Sequence, residues 1–218
     1  MKRSKLLDQL ASQIIRLKKS HPTRVGIDGP DAAGKTTIAD ELAKLLQRMG
    51  RPIIRASIDG FHNPATVRYN RGRMSPEGYY YDSFNYDDLI NLLLLPLGPD
   101  GSLQYRTTTF DYRTDSPLQT LPQLASPDSI LLFDGVFLLR SELAQLWDFT
   151  VFVDAAFDVT LARAKQRDAV LFGSVEEVRR RYEQRYIPGQ QLYFDKSRPQ
   201  ERANVVIDNN REWNPASV

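Results

Sequence analysis

The chain of 218 residues contains no cysteine. That excludes disulfides, thiolate nucleophiles and cysteine-ligated zinc, and it fits a reducing compartment. There are two histidines, His21 and His62, too far apart to read as a metal cluster. A surplus of either charge is also missing. The 29 Lys and Arg stand against 27 Asp and Glu, and a net charge of +2 gives no argument for nucleic-acid binding. Long apolar runs are absent. The longest, "LLLLPL" at 92–97, is far too short to cross a bilayer. "KLLDQLASQIIRLKK" near the start is amphipathic and lacks the continuous apolar stretch of a signal peptide. The expectation is a cytoplasmic protein without nucleic-acid or membrane partners, its homo-oligomerisation left open.

What is present is ordinary for a globular protein: 41% hydrophobic and 26% charged residues, enough for one domain over 1–218 with a real core. Leu6, Leu7, Leu10, Ile14 and Leu17 recur at helical spacing and predict an amphipathic helix within 1–20. "RVGID", "PIIRASID", "SILLFDGVFLL", "DFTVFVDA" and "ANVVIDN" read as strands. Helical patterns lie between them, including "TTIADELAKLLQRMG", "YDDLINLLLL", "FDVTLARAKQRD" and "VEEVRRRYEQRY". Alternating strands and helices predict an α/β fold, a mostly parallel sheet covered on both faces in three layers. Residues 60–85, rich in Gly, Pro, Asn, Tyr and Arg, read as a long functional loop.

"GPDAAGKTT" holds the spacing Gly29-x-x-x-x-Gly34-Lys35-Thr36 between a predicted strand and a predicted helix. Glycines there let backbone N–H groups approach phosphate oxygens, and the helix N-terminus favours negative charge. Gly29, Asp31, Ala32, Ala33, Gly34, Lys35, Thr36 and Thr37 are the candidate nucleotide contacts. Lys35 would reach the β- and γ-phosphates, and Thr36 would offer its hydroxyl to Mg²⁺. The bland alternative is a tight turn that binds nothing. Ligands of open parallel sheets sit beyond the carboxyl ends of the strands, where Asp59, Asp134 and Asp154 fall. Asp59 and Asp134 are candidates for hydroxyl activation and for metal binding; otherwise they cap loops. Asp154 reads as structural.

These segments, together with "SIDGFH", "YYYDSFNYDDL", "TTFDYRTD", "LLFDGVFLL" and "LARAKQRD", resemble the uridine kinase and phosphoribulokinase group of P-loop kinases over roughly Arg24 to Asn209. The resemblance implies a nucleotide-kinase-like P-loop NTPase fold with a mobile lid, about 163–185. It implies ATP and Mg²⁺ as cofactors and a small-molecule acceptor beside 60–85. It makes Asp59 the base, Asp134 an acid near the metal with Thr36, and Asp82 a holder of ribose hydroxyls. Arg163 and Arg167 would approach the transferring phosphate. Phe61, His62, Tyr81, Phe110 and Asp115 join Asp59 and Asp82 as candidate acceptor contacts. Three departures bear on the acceptor. His62 stands where uridine kinases usually have Tyr. Asp115 stands where they carry a His that reads the pyrimidine, which predicts a poor response to uridine. "AVLFGSVEEV" replaces a basic lid.

Arg68, Arg71, Arg73 and the tyrosines of the loop would either close over an acceptor, with room for one bearing a phosphate, or form a solvated surface. "VRRRYEQR" reads as a solvated helix face from which Arg181 or Arg185 could reach nucleotide. His21 reads as incidental. The functional expectation is an ATP- and Mg²⁺-dependent kinase of a hydroxyl on a small metabolite, a nucleoside first. The alternatives are a sugar, sugar phosphate or pantothenate-like alcohol and, in another class, a regulatory NTPase.

Overall fold

A computed structural model describes residues 3–211, so the outermost ends of the 1–218 span lie outside the described residues. The strand β1 (Thr23–Asp28) is buried along its whole length, as a central strand covered on both faces must be. It lies in a five-stranded sheet with β2 (Ile53–Ser57), β3 (Ile130–Asp134), β4 (Phe149–Asp154) and β5 (Val205–Asp208), in the order β2-β3-β1-β4-β5. Every pairing is parallel. The register sets Asp134 beside both Ile27 and Ser57. The carboxyl ends of β1, β2 and β3 therefore finish level, and the loops that follow them share one edge.

Two apolar layers sandwich the sheet. On one face, α1 (Arg3–Arg16) and α2 (Lys35–Arg48) bring Leu10, Ile14, Ile38, Leu42 and Leu46 against Val25, Ile27 and Val151, all buried. Each such side chain contributes roughly 1.5–3 kcal/mol by leaving water. The other face is aromatic: Phe61, Phe133, Phe137, Trp147, Tyr79, Tyr80 and Tyr193 pack together. Gly26 permits this closeness, because a Cβ there would sit 2.9 Å from the Trp147 indole.

Residues 60–85 are not the open loop the composition suggests. They hold one helical turn at Ala65–Arg68 and the helix α3 (Pro76–Asp82). Pro76 pre-sets the first turn, and the Ser75 hydroxyl accepts the Gly78 N–H at 3.0 Å. Arg185 fixes the segment. It is 4% exposed and donates to the carbonyls of Arg68, Gly72, Arg73 and Ser75. The expected solvated face of "VRRRYEQR" is thus only half right: Arg179 and Arg180 are exposed, Arg185 is a clamp. His21 is not incidental either. It is buried, 3.7 Å from Asp148, which also pairs with Arg24.

The helix α4 (Phe157–Phe172) ends at Gly173, whose φ of 90° suits glycine. Next come α5 (Val175–Arg181), capped by Ser174, and α6 (Ile187–Ser197). Among the described residues no helix is long and apolar enough to cross a membrane.

Candidate active site

The glycine loop takes the shape its spacing demands. Gly29 (φ 147°) and Gly34 (φ 94°) occupy backbone regions that disfavour side chains. A Cβ on Gly29 would run into the Val153 carbonyl, and one on Gly34 would lie 2.7 Å from Asn209 Nδ2. That Asn209 amide donates to Ala33 O at 2.7 Å, so the end of β5 braces the loop. Asp31 is held from two sides: its N–H donates to Gln190 Oε1 at 2.7 Å, and its carboxylate accepts from the Tyr79 hydroxyl at 2.6 Å. Beneath the loop, buried Asp28 accepts from Gly29 N–H, Leu139 N–H and the Tyr193 hydroxyl.

The Lys35 side chain does not stand free in solvent. Instead it is 8% exposed, and its ammonium donates to the carbonyls of Gly29 (2.9 Å) and Pro30 (2.6 Å). Burial lowers its pKa, against the pull of Asp31 and Asp28. Thr36 donates from Oγ1 to Asp134 Oδ2 at 2.6 Å, and Arg55 donates to the other Asp134 oxygen at 2.8 Å. The two candidate metal ligands are therefore adjacent. Among the described residues no three His, Cys, Asp or Glu side chains gather to hold a metal. One carboxylate and one hydroxyl suit a hard cation completed by phosphate and water oxygens.

A cleft of about 540 Å³ opens here, lined by Lys35, Thr36, Asp59, His62, Tyr112, Arg113, Asp134 and Arg167 among others. Asp59 sits on a short 3₁₀ turn after β2. Its carboxylate meets solvent at the cleft but is walled by protein elsewhere. That enclosure raises its pKa, with His62 the main opposing influence. His62 bonds through Nδ1 to the Asp59 carbonyl at 3.0 Å, and its ring lies between Phe84 (4.7 Å) and Tyr112 (4.8 Å). Since a carbonyl only accepts, that contact puts the proton on Nδ1 of the neutral ring. Burial lowers the His62 pKa and favours this neutral form.

Other expected contacts fall elsewhere. Phe61 and Phe110 are buried away from the cleft surface, Phe61 against Phe133. Tyr81 faces a separate cleft beside Lys196. Asp82 accepts from Arg71 at 2.8 Å. Asp115 takes the Arg68 guanidinium (2.8 Å) and the Ala65 N–H (2.9 Å). None of these lines the cleft. Arg163 does not line it either; it donates to Asn209 O at 2.8 Å, behind the glycine loop. Arg167 does line it, held by Asp168, whose bond raises the pKa of the guanidinium.

Sequence reasoning did not single out Tyr112, Arg113, Asp168, Phe172, Tyr182 and Tyr186, which line the cleft. They come from three separated segments with no shared local pattern. Tyr112 and Arg113 stand in "TTFDYRTD", two and three residues from the positions singled out.

The model of the Phosphoribulokinase / Uridine kinase family matches residues 24–212. Uridine-cytidine kinase B of Dictyostelium discoideum is 29% identical over 190 residues, 86% of this chain and 74% of that protein. A pantothenate kinase of Limosilactobacillus fermentum is 30% identical over 143 residues, 62% of this chain and 45% of that one. A structure from Bacillus stearothermophilus, described as a possible uridine kinase, superposes with a TM-score of 0.74, 24% identity and coverage of 94% and 98%. The phosphate loop, the parallel sheet and these likenesses describe a P-loop kinase that phosphorylates an alcohol group on a small metabolite. The chain belongs to the Phosphoribulokinase / Uridine kinase family.

Proposed function

We propose that the chain acts as one kinase domain that moves the γ-phosphoryl group of ATP, with Mg²⁺, to a hydroxyl of a ribose-bearing acceptor such as a nucleoside. The observation that carries this reading is the juxtaposition, in one cleft, of the Lys35 loop, the Thr36–Asp134 pair and Asp59 flanked by rings. Asp59 orients the acceptor hydroxyl and takes its proton as that oxygen bonds to phosphorus. The bond from the γ-phosphorus to the β–γ bridging oxygen breaks, and ADP leaves. Lys35 leaves the loop carbonyls for the phosphates, and Arg167 balances charge on the transferring group. Mg²⁺, held by Thr36 and Asp134, would neutralise phosphate charge and fix the phosphate geometry. His62, with its proton on Nδ1, offers Nε2 as an acceptor for a second hydroxyl or an N–H. Tyr112 and Phe84 supply faces for a ring.

Arg113 favours a second reading within the same activity. It lies over the Tyr112 ring at 5.8 Å and lines the acceptor end of the cleft. A guanidinium there suits an acceptor that carries a carboxylate or phosphate. The test is ADP release with uridine, cytidine, nicotinamide riboside, pantothenate, simple sugars and pentose phosphates. Acceptor-dependent release, largest with a nucleoside, supports the proposal. Equal ADP release with and without every acceptor would instead indicate a regulatory NTPase. Preference for an anionic alcohol that is lost in Arg113→Ala would establish the second reading.

A further inference from the structure

A second cleft of about 340 Å³ shares no lining residue with the first. It is bounded by Tyr80, Tyr81, Arg140, Ser141, Glu142, Lys196, Ser197 and Arg202. Its charge is unbalanced, with three cations facing one carboxylate. Arg140 is 4% exposed and rigidly placed. It stacks on Tyr86 (4.2 Å) and Tyr80 (4.8 Å), and it donates to Tyr80 O and Glu142. That bond holds the Glu142 pKa down at about 2, so this carboxylate stays ionised and spent on Arg140. Of the other acids nearby in sequence, Glu201 pairs with Arg198 and Asp195 accepts from Gln191 at 3.0 Å. Lys196 lies 6.0 Å from the Tyr81 ring, and Arg202 reaches one carbonyl, Leu139 O, at 3.4 Å. Ser141 also donates to Glu142, at 2.8 Å, so two long cationic side chains and the Ser197 hydroxyl converge without an acidic partner among the described residues. Like charges held close in a recess repel one another and favour an anion between them.

We propose that this cleft is an anion site for a small phosphate monoester, distinct from the nucleotide cleft. A phosphate monoester carries close to two negative charges at neutral pH and several acceptor oxygens. That matches the two uncompensated cations and the hydroxyl donor of Ser197. The half-exposed Tyr81 ring gives the organic part a flat surface. The site is also connected to the nucleotide loop. Tyr80 and Tyr81 continue α3 from Tyr79, which holds Asp31. Lys196 and Ser197 end α6, where Gln190 holds Asp31 and Tyr193 holds Asp28. An occupant bridging Tyr81, Lys196 and Arg202 would tie together the two helices that brace the loop.

Glycerol 3-phosphate titrated into the full chain by calorimetry, without ATP, tests the site. Hydrogen exchange on the same samples shows where the ligand lies. Binding should slow exchange at 140–142 and 196–202. Lys196→Ala/Arg202→Ala should weaken it at least tenfold while leaving kcat without the ester unchanged. Both side chains are exposed, so the melting temperature should hold; Lys196→Gln alone is the milder variant and should weaken binding several-fold. Unchanged affinity in the double variant, protection confined to 29–36, or equally tight binding of succinate would overturn the proposal.

Discussion

On the nucleotide wall of the cleft, Gly29 to Thr36 form one contiguous stretch between a fully buried strand and a helix, and Asp134 joins them through the register of the next strand. On the proposed acceptor wall, Asp59, His62, Phe84, Tyr112 and Arg113 come from three separated segments. There the charged side chains nearest in sequence are bonded to each other: Arg71 to Asp82, and Arg68 to Asp115. One wall is built from backbone geometry, the other from side chains that first satisfy one another. The first tolerates little variation. The second can change partners, and that is where acceptor specificity would evolve.

The strongest way to break the comparison is on the first wall. Lys35→Ala removes the charge beside the phosphates, and kcat should fall by about a thousandfold or more. The carbonyls of Gly29 and Pro30 lose a donor, so stability should also fall by about 1 kcal/mol. A kcat within tenfold of wild type, at saturating acceptor, would refute the phosphate-loop role.

Asp59 and Asp134 stand on either side of the divide. Asp59→Asn should lower kcat about a hundredfold with little change in ATP affinity. Asp134→Asn should chiefly raise the Mg²⁺ concentration for half-maximal rate. The pH profile separates them further. A base works ionised, and enclosure raises the pKa of Asp59. Wild-type kcat/KM should therefore drop as pH falls through that raised pKa, and the acidic limb should vanish in Asp59→Asn. A shifted Mg²⁺ response in Asp59→Asn alone would exchange the two roles.

Asp28 tests how rigid the first wall is. Burial pushes its pKa up from 3.8 to about 6, against the bonds from Tyr193, Gly29 and Leu139. The folded state then holds this proton more tightly than the unfolded state. Stability from this group is present at low pH and declines as pH rises from about 4 to 6, by up to roughly 3 kcal/mol. Asp28→Asn should lack that decline. Parallel urea midpoints for the two proteins between pH 4.5 and 7.5 would remove the argument.

Asp115→Asn probes the second wall. The carboxylate is 42% exposed and paired with Arg68, whose side chain is 10% exposed. Losing the pair should cost about 1 kcal/mol after allowance for solvent screening. Acceptor kcat/KM should stay within threefold, because Asp115 turns away from the cleft. A tenfold change in preference for uridine, with no loss of stability, would restore Asp115 as a reader of the acceptor.

The same divide explains what was legible in the sequence. The five parallel strands, the loop, Thr36 and Asp134 follow from periodicity and a spacing that backbone physics constrains. Asp59 was legible because it follows a strand closely, on the turn after β2. Phe61 and Phe110 were misplaced because an aromatic residue beside an active-site segment reads the same whether it faces the ligand or the core. Asp82 and Asp115 were misplaced because the sequence does not say which arginine claims a carboxylate. Arg185 looked solvated within a basic helix, yet its fork satisfies the carbonyls of a segment more than a hundred residues away. Long-range pairing of this kind leaves no local signal.

The smallest effect should come from Arg71 and Asp82. Their side chains are 54% and 20% exposed and 2.8 Å apart. An exposed pair contributes about 0–1 kcal/mol, so Arg71→Ala should barely move the urea midpoint. Its value lies in the acceptor kinetics. If Asp82 joins the acceptor wall by leaving Arg71, removing Arg71 takes away a competitor, and acceptor KM should fall. If Asp82 only steadies the end of α3, KM should stay within twofold in Arg71→Ala and in Asp82→Asn alike. The orientation seen here, with Asp82 outside the cleft lining, leads us to expect the second result. A threefold lower KM in Arg71→Ala with a tenfold higher one in Asp82→Asn would move Asp82 onto the acceptor wall, and make the Arg71 pair the resting position of a ligand-binding carboxylate.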